Sequence, residues 1–115
     1  MWVVEFEPDA EDELDSLPLR EQNAIGQAIE KLKADGPMLG TPHSSSVMGV
    51  SGSLRELRPR AGRSRWRAFY RRIGGALVIG SIGPEAQVDP RGFDRAVRVA
   101  NERLDARAKQ RGVSS

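Results

Sequence analysis

Three runs of strand-forming character, residues 54–58, 64–72 and 76–82, follow one another with only 59–63 and Gly74-Gly75 as the breakers that interrupt them. Neither connection can hold a helix. Parallel neighbours need a crossover of about a dozen residues or more, so connectivity alone predicts an antiparallel three-strand meander. The rest of the chain has to cover that sheet.

The N-terminal residues 2–6 are β-branched and aromatic up to Pro8 and read as a further strand. Asp9 is then placed to cap a helix whose first turn carries Glu11, Asp12 and Glu13, with Ala10, Leu14 and Leu17 on one face. Pro18 punctuates, and Ile25, Ile29 and Leu32 mark a second helix that Asp35-Gly36-Pro37 stops. Residues 38–53 are rich in Gly, Ser, Thr and Pro without either period, and are expected to be loop. Asp89-Pro90 opens a last helix with Phe93, Val97, Ala100 and Leu104 at i, i+4, i+7 and i+11. The expected order is βααβββα, an α+β fold with its helices on one face of the sheet, as one domain over 1–106 with a frayed tail at 107–115.

The net charge of +2 conceals an asymmetry. Residues 1–53 carry 3 basic and 10 acidic side chains, whereas 54–115 carry 15 basic and 6 acidic. Within 55–72 there are eight arginines against one acid, Glu56. Such density fits a phosphate-rich partner, and pairing with the chain's own acidic half is the competing explanation. Alternation along 64–72 separates Trp66, Ala68 and Tyr70 from Arg65, Arg67, Phe69 and Arg71. The first set is expected in the core. The second is expected on an open face, its guanidinium forks gripping phosphates while Phe69 stacks on a base.

Several chemistries are excluded. The sequence has no cysteine, which removes disulfides, thiolate nucleophiles and Cys-based zinc sites. His43 is the single histidine, so no metal site is expected; it reads as a polar-loop residue, or as an acid or base if the loop lies beside the basic face. Gly74-Gly75 and Gly80 precede no helix start, so no nucleotide cofactor is expected. No segment approaches the roughly 18 uninterrupted apolar residues of a membrane span. Met1-Trp2-Val3-Val4-Glu5 reaches an acid where a secretory leader would carry basic charge, and a cytoplasmic protein is expected.

The pattern Leu54-Arg55-Glu56-Leu57-Arg58, the run Arg65-Trp66-Arg67-Ala68-Phe69-Tyr70 and the loop Gly40-Thr41-Pro42-His43 stand in the order βααβββα. In this order and spacing the chain resembles the RelE/ParE toxin superfamily, in its phage-derived HigB-like branch, over nearly its whole length. The resemblance implies the toxin of a type II toxin-antitoxin system: a metal-independent endoribonuclease that cuts mRNA, commonly in the ribosome. It also implies silencing by a cognate antitoxin, in this branch usually a helix-turn-helix protein. Arg67 matches the arginine such nucleases place at the scissile phosphate, and Glu56 and Arg58 match the Glu-Leu-Arg pattern, which makes these three the candidate catalytic residues. Glu56 reads as a general base or as a plain ion-pair partner of Arg58 or Arg67. Arg55, Arg63, Arg65, Phe69 and Arg71 are the candidate RNA-binding residues.

The sequence departs from the branch after the last strand. Relatives carry Lys, His, Arg or Tyr there, and this chain has Ile82-Gly83-Pro84-Glu85-Ala86-Gln87. Two alternatives therefore stand beside the nuclease: a gyrase-poisoning ParE-like toxin that cuts nothing, and a non-catalytic module that binds RNA or an antitoxin.

Overall fold

The computed structural model describes residues 1–49 and 53–110. The elements in chain order are β1 (Val3–Phe6), α1 (Pro8–Asp15), α2 (Leu19–Asp35), β2 (Ser44–Ser46), β3 (Arg55–Leu57), β4 (Trp66–Ile73), β5 (Ala76–Pro84) and α3 (Pro90–Gln110). The meander forms as connectivity demands, with β3, β4 and β5 antiparallel and Glu56 opposite Phe69, Arg67 opposite Gly83. β1 joins β5 in parallel, and the five strands lie in the order β1-β5-β4-β3-β2.

β2 lies inside the segment expected to be loop. Three serines carry no strand pattern; they are held by their partners, antiparallel to β3 with Ser45 opposite Glu56. Ser44 Oγ shares a 2.6 Å hydrogen bond with the Tyr70 hydroxyl, and Arg55 donates to Ser44 Oγ and Ser46 Oγ, both at 3.0 Å. Residues 50–52 of that expected loop lie outside the described residues.

The helices cover both faces of the sheet, not one. Ile25, Ile29 and Leu32 of α2 pack with Ala10 of α1 against Leu57, Ala68, Tyr70, Leu77 and Ile79. On the opposite face Ala96, Val97, Ala100 and Leu104 of α3 pack on Phe69, Ile73 and Val78. The alternation along β4 is as expected, but the face assigned to phosphate is largely interior. Phe69 is fully buried, edge to face with Phe93 at 5.4 Å between ring centroids, and is no stacking platform. Arg71 is buried beneath α3, donating to Asp105 Oδ1 (2.7 Å) and Asn101 Oδ1 (2.8 Å). α3 comes this close because β5 is thin beneath it: a Cβ on Gly83 would meet Ala96, and one on Gly80 would lie 2.8 Å from Leu104 Cγ. The β4/β5 register shifts at Phe69/Tyr70, with Gly80 as the extra residue on β5.

Two helix ends differ from expectation. Glu7, not Asp9, occupies the cap position of α1, with Pro8 in its first turn and no side-chain cap bond. The expected fraying from residue 107 is not seen through Gln110, where α3 is still helical; Arg107 donates to Glu7 and Glu5 at 2.6 Å each, and Ala108 is buried. Residues 111–115 lie outside the described residues. Asp89 caps α3 as expected, accepting the Gly92 N–H at 2.9 Å.

Candidate active site

Beyond the part of the sheet that α3 covers, β3, the start of β4 and the end of β5 bring four charged side chains together. Arg67 projects from β4 with its side chain 2% exposed. Its Nη1 donates to the carbonyls of Ser64 (2.7 Å) and Trp66 (3.0 Å), and its Nη2 to that of Gly62 (3.3 Å). Glu56 Oε1 lies 3.5 Å from Arg67 Nε and 3.8 Å from Arg58 Nε, and Glu85 Oε2 lies 3.8 Å from Arg67 Nη2. Burial lowers the pKa of the Arg67 guanidinium; Glu56 opposes that shift, Arg58 adds to it, and Glu85 opposes it.

Exposure is graded across the cluster. Glu56 and Glu85 are 16% and 20% exposed, and Arg58 is 31% exposed. Arg67 is the charged anchor behind, and Arg58 is the guanidinium that solvent and a ligand can reach. The Nε atoms of Arg58 and Arg67 are both buried and lack a hydrogen-bond partner among the described residues. Both lie within 4 Å of Glu56 Oε1, so the unspent donor capacity of the site converges on one carboxylate.

The loop between β3 and β4 is built to hold this arrangement. Arg60 and Ala61 both sit in the left-handed region (φ 54° and 56°), which side-chain-bearing residues adopt at a cost. They are fixed from outside: Arg60 Nη1 donates to both Glu21 oxygens (3.2 and 3.1 Å), Ser64 Oγ to Glu21 Oε1 (3.0 Å), and Arg67 to the Gly62 and Ser64 carbonyls.

Of the residues expected from sequence, Glu56, Arg58 and Arg67 meet. Arg63 and Arg65 are exposed on the flanking segment, where the Arg63 Nε donates to the Arg60 carbonyl and the Arg65 carbonyl accepts the Glu85 N–H at 2.8 Å. Arg55 lies in register with Tyr70, apart from the cluster, and Phe69 and Arg71 are interior. Glu85 was not anticipated; only its position just past the last strand pointed to it. The His43 carbonyl accepts the Arg58 N–H at 2.8 Å, which sets that residue opposite Arg58 one step beyond the β2/β3 ladder. Among the described residues no three His, Asp or Glu side chains gather as metal ligands, and no helix is long and apolar enough to cross a membrane.

The architecture is RelE-like. A mutant of the E. coli toxin RelE in its free state superposes with a TM-score of 0.60 at 15% identity, over 84% of this chain and 95% of that one. The isolated E. coli RelE toxin in another crystal form gives 0.58 at 15% identity, over 83% and 98%. RelE in the archaeal RelE–RelB complex from Pyrococcus horikoshii gives 0.52 at 17% identity, over 72% and 93%. At these identities the likeness defines the fold, and the resemblance read from sequence holds at that level. The chain belongs to the phage-derived protein Gp49-like family, whose model matches residues 12–79, from α1 into β5. No curated protein matches the sequence.

Proposed function

We propose that this protein is the toxin of a type II toxin-antitoxin pair, of the HigB-like branch, and that it cleaves mRNA without a metal. The observation that carries the reading is the convergence of two orphaned guanidinium N–H groups on the partly exposed Glu56. Glu56 accepts the proton of a ribose 2′-hydroxyl as that oxygen attacks the adjacent phosphorus; the bond to the 5′-oxygen breaks, and the leaving oxygen takes a proton from solvent. The products are a 2′,3′-cyclic phosphate and a 5′-hydroxyl. Arg58, at the surface, stabilises the charge that grows on the phosphoryl oxygens. Arg67 acts through others, as a positioning residue for Glu56 and for the 62–64 backbone.

The similar archaeal RelE was solved in complex with RelB; by analogy this chain's partner is an antitoxin, which the HigB-like resemblance makes a helix-turn-helix protein. The test is growth. Induction of the wild type alone arrests a bacterial host, the neighbouring reading frame restores growth, and Glu56→Gln at equal soluble expression does not arrest. Normal growth with soluble wild-type protein overturns the reading. The internal commitment of Arg67's Nη donors favours one alternative, a gyrase-binding toxin of the same fold; arrest with intact messages and a DNA-damage response would select it.

A further inference from the structure

A groove of about 840 Å³ runs beside the cluster, between the end of β5, the α1–α2 turn and the first turns of α3. Its walls carry three carboxylates and two guanidinium groups, and the five differ in whether they are already engaged. Glu13 accepts from Arg103 Nη2 (2.9 Å) and from the Ile82 N–H (3.0 Å). Glu21 accepts from Arg60 and Ser64, and Asp89 caps α3. Arg65 and Arg95, by contrast, are exposed and have no acidic partner among the described residues. Two of the three acids, Glu13 and Glu21, are paired with arginines outside the groove, whereas the exposed Asp89 meets only a backbone N–H and the two groove cations have no acidic partner among the described residues. Trp66, half-buried, also lines it.

We infer that this groove, not the sheet face, is the track for single-stranded RNA: Arg65 and Arg95 take backbone phosphates from opposite walls, and Trp66 stacks on a base. The inference rests on the nuclease reading above and adds where the strand lies relative to the reacting phosphate. Arg65 and Trp66 of the groove directly precede Arg67, and the Glu85 N–H bonds to the Arg65 carbonyl, so the groove adjoins the Glu56/Arg58/Arg67 cluster. Arg91, one turn before Arg95, is exposed on the same side of α3, whereas Arg98 lines a separate groove with Asp94, Asn101 and Asp105. Sequence-independent binding of this kind needs uncommitted cations and an aromatic platform, and both are present here.

The experiment is anisotropy titration of a fluorescent 2′-O-methyl oligoribonucleotide of roughly 10 nucleotides with the full chain, the blocked 2′-oxygen preventing cleavage. Salt is varied between about 50 and 200 mM. Arg65→Ala and Arg95→Ala are each expected to weaken binding about fivefold at the lower salt and to reduce the salt slope by roughly one. Trp66→Leu is expected to weaken it about tenfold with the slope unchanged, as loss of a stacked base requires. Lys31→Ala, on the exposed side of α2, should bind as wild type. Wild-type affinity in both arginine variants overturns the groove while leaving the nuclease reading standing, whereas a wild type that binds no RNA overturns both. Unchanged RNA affinity with loss of antitoxin binding would assign the groove to a protein partner instead.

Discussion

Arg67 shows what one residue type contributes. A guanidinium spans three carbonyls and faces two carboxylates at once; an ammonium offers the same charge from a single point and cannot span Gly62, Ser64 and Trp66 together. Arg67→Lys should therefore lower stability by roughly 2–4 kcal/mol, read from urea unfolding, and lower cleavage with it. Reduced cleavage at unchanged stability would instead put Arg67 on the phosphate itself. Alternation in the sequence was enough to set Arg67 on the face opposite Trp66 and Tyr70. It could not say what meets that face. The partners of Phe69 and Arg71 arrive from α3, with Asp105 lying 34 residues from Arg71, and Glu85 reaches Arg67 only because β5 folds back beside β4. Alternation is local information, and cover is not.

Among the elements, the loop after β3 stores the clearest strain. Ala61 pays for a left-handed backbone that glycine adopts freely, so Ala61→Gly should raise stability by about 0.5–1 kcal/mol and leave cleavage intact. A lower melting temperature would show the strain to be misassigned. Glu21 ties that loop to α2. Burial works to raise its pKa, but the hydrogen bonds from Arg60 and Ser64 and the charges of Arg60 and Arg20 outweigh it, and the carboxyl is held below the ordinary range. A depressed folded pKa means the native state binds fewer protons than the unfolded one, so the contribution is complete above the unfolded value of about 4.3 and is lost as pH falls through the folded value. The stability gap between wild type and Glu21→Gln should be constant above about pH 5 and narrow below it. A gap independent of pH would contradict the pairing. The helices and the meander were legible because their periods repeat over many residues. β2 was not, since three serines become a strand only through β3, Tyr70 and Arg55.

Over the whole molecule, the charge asymmetry is partly spent on folding. Arginines of the basic half close onto the acidic half: Arg103 on Glu13, Arg107 on Glu5 and Glu7, Arg60 on Glu21. These pairs bind α3 to β1 and α1, and the β3–β4 loop to α2. Other arginines have no acidic partner among the described residues: Arg63 and Arg65 are exposed on the segment before β4, and Arg91, Arg95 and Arg98 are exposed on α3. Composition revealed the excess of arginine; only the fold separates those that hold the chain together from those left for a polyanion. The central claim is that this arrangement cuts RNA through Glu56 and Arg58, and the direct measurement is the mapping of message 5′ ends after induction, using ligation that requires a 5′-hydroxyl. The account predicts new discrete 5′-hydroxyl ends with the wild type, reduced by about 10²-fold or more in Glu56→Gln and in Arg58→Ala at equal soluble expression. Messages left intact by the wild type, or cut equally by Glu56→Gln, would contradict it.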